Sequence, residues 1–257
     1  MNTLVFDIET VPDTDLGRRL HDLRDLSEEQ VAAVMFAHRR QETGGEFLSL
    51  EQQRIVAISV AMRSRDSLKV WSLGEEGAPE KVLIERFFDG LERYTPDLVS
   101  WNGSGFDLPV LHYRSLLHGV PAARYWEVGD HDPSFRWRNY LSRFHWRHMD
   151  LMDILSGFQG RGRVSLHDMA VLLGFPGKIG MHGGDVWDAY RRGEIARIRA
   201  YCETDVLNTY LVWLRFELVR GLLSAEEHLQ EIARVRRFLA ESPAAHWREF
   251  ADAWPAS

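Results

Sequence analysis

Leu4-Val5-Phe6-Asp7-Ile8-Glu9-Thr10 is the stretch from which the fold is read. Leu4 to Phe6 are bulky and apolar, which suits a strand buried on both faces in the middle of a sheet. Side chains of an extended chain repeat every two residues, so Asp7 and Glu9 point to one side and Ile8 to the other. Two acids at the end of a buried strand repel each other, and desolvation makes their charge costlier. A hard divalent cation with oxygen ligands would relieve both effects. Taken alone, the tripeptide fits a strand end facing water equally well. The question is whether the rest of the chain supplies further ligands.

The chain has 257 residues, enough to bury a core in one domain or at most two. Hydrophobic residues make up 45% and charged residues 27%, the balance of a soluble globular protein. No apolar run is long enough to span a membrane, and the first residues show no basic-then-apolar leader, so no membrane partner is expected. Cys202 is the single cysteine and forms no internal disulfide, which points to a reducing cytoplasm. A net charge of −7 argues against a general nucleic-acid coat but leaves a nucleic-acid enzyme open, because acids grouped at a metal site count against the total.

After the first strand Pro12-Asp13 breaks the pattern. Ser27-Glu28-Glu29-Gln30 reads as a capping box opening a helix through Val31, Val34, Met35 and His38, and Gly44-Gly45 makes a loop. Residues 13–50 therefore look like a helical insertion, either a flap over one sheet edge or a plain packing hairpin. Arg54–Ala61 and Leu68–Leu73 are strand-like, joined through Arg63-Ser64-Arg65-Asp66 as a hairpin. A helix starts at Pro79 with Val82, Leu83, Phe87 and Leu91 on one face, and Pro96–Trp101 returns as a strand. This order describes an α/β domain with a mixed sheet. We expect residues 1–220 to form it and residues 221–257 to add a helical extension packed on the same domain.

Further acids follow. Trp101-Asn102-Gly103-Ser104-Gly105-Phe106-Asp107 leaves a strand through a Gly-rich turn and enters a helix carrying Leu108, Val110 and Leu111. Asp107 is either a first-turn acid favoured by the helix dipole or a third carboxylate beside the first strand. In Ile198-Arg199-Ala200-Tyr201-Cys202-Glu203-Thr204-Asp205-Val206, the residues Ile195, Ile198, Cys202 and Val206 form one apolar stripe. Tyr201 and Asp205 are four apart and share a helix face, as an ordinary solvated pair or as a ligand with a hydroxyl beside it.

Four acids from three segments, with a tyrosine four residues before the last, resemble the motifs of the DEDD superfamily of 3′–5′ exonucleases. Asp7-Ile8-Glu9 resembles the first motif, Asn102–Asp107 the second, and Tyr201-x-x-x-Asp205 the third in its tyrosine (DEDDy) form. The histidine form does not fit, since position 200 is Ala200. The chain is similar, from the first strand to about Arg215, to stand-alone bacterial proteins resembling the proofreading exonuclease domain of family-B DNA polymerases. That resemblance implies a ribonuclease H-like fold, a mixed five-stranded sheet flanked by helices. It also implies two divalent cations, Mg²⁺ or Mn²⁺, held by Asp7, Glu9, Asp107 and Asp205, with Tyr201 orienting the attacking water. The implied activity is removal of 5′-nucleotides from the 3′ end of single-stranded nucleic acid, DNA before RNA, with Thr10, Asn102, Gly103 and Phe106 at the substrate. An RNA exonuclease, or a binding subunit weak in catalysis, is the alternative. DNA replication or repair proteins are the implied partners.

Residues 135–148 are locally basic: four arginines and no acids alternate with five aromatics. Arginine for phosphate and aromatic faces for bases is single-strand-binding chemistry, so Arg136, Trp137 and Arg138 are expected to hold the substrate. The other reading packs the aromatics inside and leaves the arginines as a solvated fringe. Asp150 reads as an ordinary turn or cap residue before an outer group near the metals, and Lys178 and His182–Asp185 as a loop lining the cleft.

Overall fold

The computed structural model describes residues 2–65 and 67–254. Asp66, in the expected hairpin connection, lies outside them. β1 (Thr3–Pro12), β2 (Gln53–Ser64), β3 (Ser67–Ser72), β4 (Asp97–Ser100) and β5 (His148–Asp150) make one sheet. Its order is β3-β2-β1-β4-β5. β2 runs antiparallel to β1 and to β3, whereas β4 is parallel to β1 and to β5. The sheet is therefore mixed, with β1 at its centre. This is the ribonuclease H-like α/β architecture.

The helices are α1 (Thr14–His21), α2 (Glu28–Thr43), α3 (Glu80–Tyr94), α4 (Asp107–His118), α5 (Ala123–Trp126), α6 (Leu151–Leu155), α7 (Leu166–Leu172), α8 (Val186–Arg191), α9 (Ile195–Val219), α10 (Ala225–Glu241) and α11 (Ala245–Ala253). Period-two alternation in β1 splits the core in two. Leu4, Phe6 and Ile8 pack with Leu83, Phe87 and Leu91 of α3 and Leu108 and Leu111 of α4. Val5 faces the other way, onto Val206, Tyr210 and Leu211 of α9. Asp7 and Glu9 continue the Val5 row and so face α9.

Residues after Arg220 belong to that second core: Val235 and Leu239 of α10 and Trp247 and Phe250 of α11 pack with α9. The Tyr210 hydroxyl donates to Glu231 of α10 across 3.1 Å. Among the described residues no helix is long and apolar enough to cross a membrane.

The 13–50 segment folds as α1 and α2, with Ser27 and Gln30 closing the expected capping box. Gly17 lets α1 approach α2, because a Cβ there would run into the Met35 sulfur. Val31, Met35 and Leu48 form a small core of their own. The pair stands at the carboxyl end of β1 and shares a cleft with Glu9, Thr10 and α8, so it does not cover a sheet edge. The cause is connectivity: α1 begins two residues after β1 ends, which holds it at that end.

Candidate active site

Three elements deliver the acids. β1 carries Asp7 and Glu9 just before an irregularity in its pairing with β2, where Glu9 opposes Ala57 and Thr10 opposes Ile55. Such a bulge re-aims the residues beside it. Asp107 is the first residue of α4, and its Oδ1 accepts a hydrogen bond from the Ile8 N–H at 3.1 Å. β4 pairs with β1 only through Val5, so Asp107 takes over a β1 donor that no strand reaches. Asp205 and Tyr201 sit one turn apart on α9, buried against β1.

The turn between β4 and α4 is held from behind. Asp150 accepts hydrogen bonds from the backbone N–H of Asn102 (3.0 Å) and Ser104 (2.8 Å) while capping α6. Gly103 is required by close approach, since a Cβ there would meet the Ser100 side chain. Asn102 adopts a left-handed conformation at φ 65°. Asn102 and Gly103 thus shape the turn that presents Phe106 and Asp107. Thr10 donates to Gln53 Oε1 at 2.8 Å and lines the cleft beside Glu9.

The electrostatics are one-sided. Asp7 is half-buried and Glu9, Asp107 and Asp205 are buried. Burial, then repulsion from Asp107 and Asp205, pushes the Asp7 carboxyl well up; burial, then Asp7 and Asp205, does the same to Glu9. Burial raises Asp107 to about 7, against backbone donors that lower it. Burial also raises Asp205, although Lys178 pulls it down. The Lys178 ammonium donates to Asp205 Oδ2 at 2.7 Å and to the Tyr201 hydroxyl. Burial works against that charge, but Asp205, Asp7 and Glu9 keep it protonated.

This donor set fits divalent cations. Asp205 Oδ1 is buried without a hydrogen-bond partner. Asp7, Glu9 and Cys202 offer ligand atoms within 4.8 Å of one another. Four carboxylates against one ammonium leave charge that only a cation or protons can balance. Oxygen donors suit a hard ion such as Mg²⁺ or Mn²⁺.

Burial, followed by Asp205, Glu9 and Asp7, pushes the Tyr201 hydroxyl far above its usual range. It therefore stays protonated. Its oxygen accepts from Lys178, which frees its hydrogen to donate.

The sequence places Lys178 only in a loop lining the cleft, with no partner, whereas its ammonium pairs with Asp205 at the cluster. Asn208, one turn beyond Asp205, clamps its loop by accepting from the Gly177 N–H (3.2 Å) and donating to the Gly177 carbonyl (2.8 Å). No spacing rule would have found it, because the pairing joins a loop to a helix across 27 residues. Cys202 was read as core stripe and is that, but its thiol also donates to the Asp7 backbone carbonyl at 3.4 Å.

Of the basic segment, Arg138 lies away from the acids. Arg138 donates to Asp97 Oδ2 at 2.6 Å, and Asp97 opposes Thr3 at the start of β1. Asp7 lies four residues further along β1, about 13 Å at strand rise. Phe135 and Tyr140 are buried, with the Arg147 guanidinium 4.1 Å from the Phe135 ring. Arg136 and Trp137 stay exposed. The segment thus follows the packing reading for its buried aromatics, and Arg138 is not brought to the acids.

Comparison with known proteins points one way. A family model described as a predicted 3′–5′ exonuclease related to the exonuclease domain of PolB matches residues 45–254. A DNA polymerase of Archaeoglobus fulgidus is 27% identical over 165 residues, 63% of this chain and 20% of that protein. The chain thus spans about a fifth of that relative's length. The family match covers Asp107, Tyr201 and Asp205 and begins after β1, so Asp7 and Glu9 join the site through the fold.

Proposed function

The chain belongs to the family of predicted 3′–5′ exonucleases related to the exonuclease domain of PolB, and we propose that it hydrolyses phosphodiester bonds from the 3′ end of single-stranded nucleic acid, releasing 5′-nucleotides. The observation that carries this reading is the buried, under-compensated group Asp7, Glu9, Asp107 and Asp205, with one Asp205 oxygen unpartnered. The similar DNA polymerase makes DNA the first substrate to test, and replication or repair proteins its natural associates.

Asp7, Glu9 and Asp205 would hold one divalent cation, with Asp7 shared and Asp107 holding a second. Such a pair supplies an acidified water and neutralises the departing 3′ oxygen. The protein's own groups do the rest. Tyr201 keeps its proton and orients the attacking water as a donor. Lys178 holds Asp205 and Tyr201 in place and adds positive charge where the phosphate's negative charge builds. Asp150 and Gly103 fix the turn that sets Asp107.

The test is 5′-labelled single-stranded DNA and RNA incubated with Mg²⁺ or Mn²⁺. We expect stepwise shortening from the 3′ end, lost about a thousandfold or more in Asp7→Ala. No shortening of either polymer, or full activity in Asp7→Ala, sinks the proposal.

A further inference from the structure

A cavity of about 640 Å³ lies at the end of the sheet away from the acids, where β1 and β4 begin and α9 ends. Its volume is within the range of small-molecule sites (roughly 300–1,000 Å³). Trp213 and Glu217, one turn apart on α9, line one side, and Asp97 at the start of β4 lines another. Phe144 and Trp146 add aromatic surface. Phe144 is 77% exposed, so the folded chain leaves that surface largely uncovered.

Three buried polar atoms on these residues have no hydrogen-bond partner among the described residues: the Trp213 indole N–H, Asp97 Oδ1 and Glu217 Oε1. Each of the three residues is only 8% exposed. Asp97 Oδ2 is already taken by Arg138 at 2.6 Å. Glu217 Oε1 stands 3.2 Å from Arg220 Nε without the alignment of a hydrogen bond. Burial pushes both carboxyls up, and Asp97 adds to the rise of Glu217, so each acid stands within reach of the other's charge. Buried polar groups are as a rule paired, so three orphans around one cavity call for a ligand. That ligand must bring two donors and one acceptor. Among the pairing edges of the bases, only guanine's supplies this set: O6 accepts, while N1–H and the 2-amino group donate. Adenine and cytosine carry one donor group on that edge, and uracil sets one donor between two acceptors.

We propose that this cavity binds a free guanine nucleotide, its pairing edge held by Asp97, Glu217 and Trp213 and its ring against Phe144 and Trp146. Arg65, also on the lining, has no carboxylate partner among the described residues and meets the phosphate. The other lining arginines are engaged: Arg63 with Glu231, Arg138 with Asp97 and Arg220 with Glu217. The site is distinct from the acid group, since Asp97 opposes Thr3, four residues before Asp7 on β1. It goes beyond the hydrolytic reading and stands without it, because none of its residues belongs to that group.

The experiment titrates the full chain by calorimetry with GMP, IMP, AMP, CMP and UMP, in EDTA so that no metal draws phosphate to the acids. IMP is the sharpest comparison, because its base keeps O6 and N1–H but lacks the 2-amino donor. GMP should bind about tenfold more tightly than IMP, and AMP, CMP and UMP more weakly still. Guanosine should bind severalfold more weakly than GMP; equal affinity for the two would remove the phosphate contact at Arg65. Glu217→Gln exchanges a charged acceptor for an amide, and Trp213→Phe keeps an aromatic ring without the N–H. In each, GMP affinity should fall about tenfold. A melting curve without nucleotide shows that the variants fold, and the comparison of GMP with IMP on the wild-type protein decides without them. No binding of GMP, equal affinity for GMP and IMP, or GMP affinity unchanged in either folded variant overturns the proposal.

Discussion

Two buried charged groups draw on α4, one on Asp107 at its first residue and one on Arg114 two turns later, and they are built on opposite rules. At one, Arg114 donates to Glu80 at 2.8 and 2.6 Å and to Asp13, and His118 shares Glu80 at 2.7 Å. The Ile55 N–H donates to the Glu80 Oε1 that Arg114 also reaches, and the Leu16 N–H donates to the other oxygen of Asp13, Oδ1. Burial raises the Asp13 carboxyl, but hydrogen bonds from Arg114 and the Leu16 N–H outweigh it, and the net shift is downward. At the other, Asp7, Glu9, Asp107 and Asp205 share one ammonium, and all four carboxyls are raised. The first group is closed and ties α1, α3 and α4 together. The second is left open, which is how a site for an exogenous cation differs from a structural ion cluster.

The largest break in this comparison is Arg114→Ala. It strands two buried carboxylates and should cost about 3–5 kcal/mol, seen as a melting point lower by roughly 10 °C. Asp7→Asn should do the opposite without metal. It removes a repelling charge, so the metal-free protein gains of order 1 kcal/mol while losing hydrolysis. A metal-free Asp7→Asn protein less stable than wild type would show the acid group to be structural.

The second test is pH. Asp107 ionises at about 7 when folded against an ordinary value of 3.8. A carboxyl raised on folding binds more protons in the folded state, so its contribution is present below its ordinary value and lost as pH rises through about 7. In EDTA the melting point should therefore fall between pH 5 and pH 8. Mg²⁺ or Mn²⁺ should flatten that fall, because metal binding favours the ionised acids. Asp107→Asn should flatten it without metal. A melting point that rises with pH in EDTA would remove the claim.

Sequence carried the acid half of this contrast better than the closed half. Asp7 and Glu9 were legible because strand alternation is local, and Tyr201 and Asp205 because helix periodicity is local. The capping box at Ser27 and the strand order of types were legible for the same reason. Lys178 and the Arg114 group were not, since both depend on side chains brought together from far along the chain: Asp13 and Arg114 are 101 residues apart. The insertion was visible as a break after Pro12, but only the fold shows it facing α8. The arginines of residues 135–148 stayed ambiguous in sequence because alternation with aromatics has the same pattern in a packed loop as in a binding groove.

Tyr201→Phe is a smaller perturbation of the open group. The hydroxyl is too firmly protonated to serve as a base, so its loss removes one oriented donor, and turnover should fall roughly tenfold. Metal affinity by calorimetry should hold, and the shape of the pH–rate profile should not change. Loss of metal affinity would assign the tyrosine to the cation's ligand sphere instead.

The smallest effect belongs to Arg138→Ala. Its guanidinium answers Asp97 at the far end of the parallel strands, and burial already pushes Asp97 up against that partner's pull. Removing Arg138 should leave the KM for single-stranded DNA, and its salt dependence, unchanged within about twofold. The melting point should drop slightly, since an ion pair whose arginine is 39% exposed contributes no more than about 1 kcal/mol. A KM raised severalfold with a shallower salt dependence in this variant would mean that the strand crosses the molecule from the acid cleft to the opposite end of the sheet. The groove would then extend well beyond the cleft between the insertion and α8.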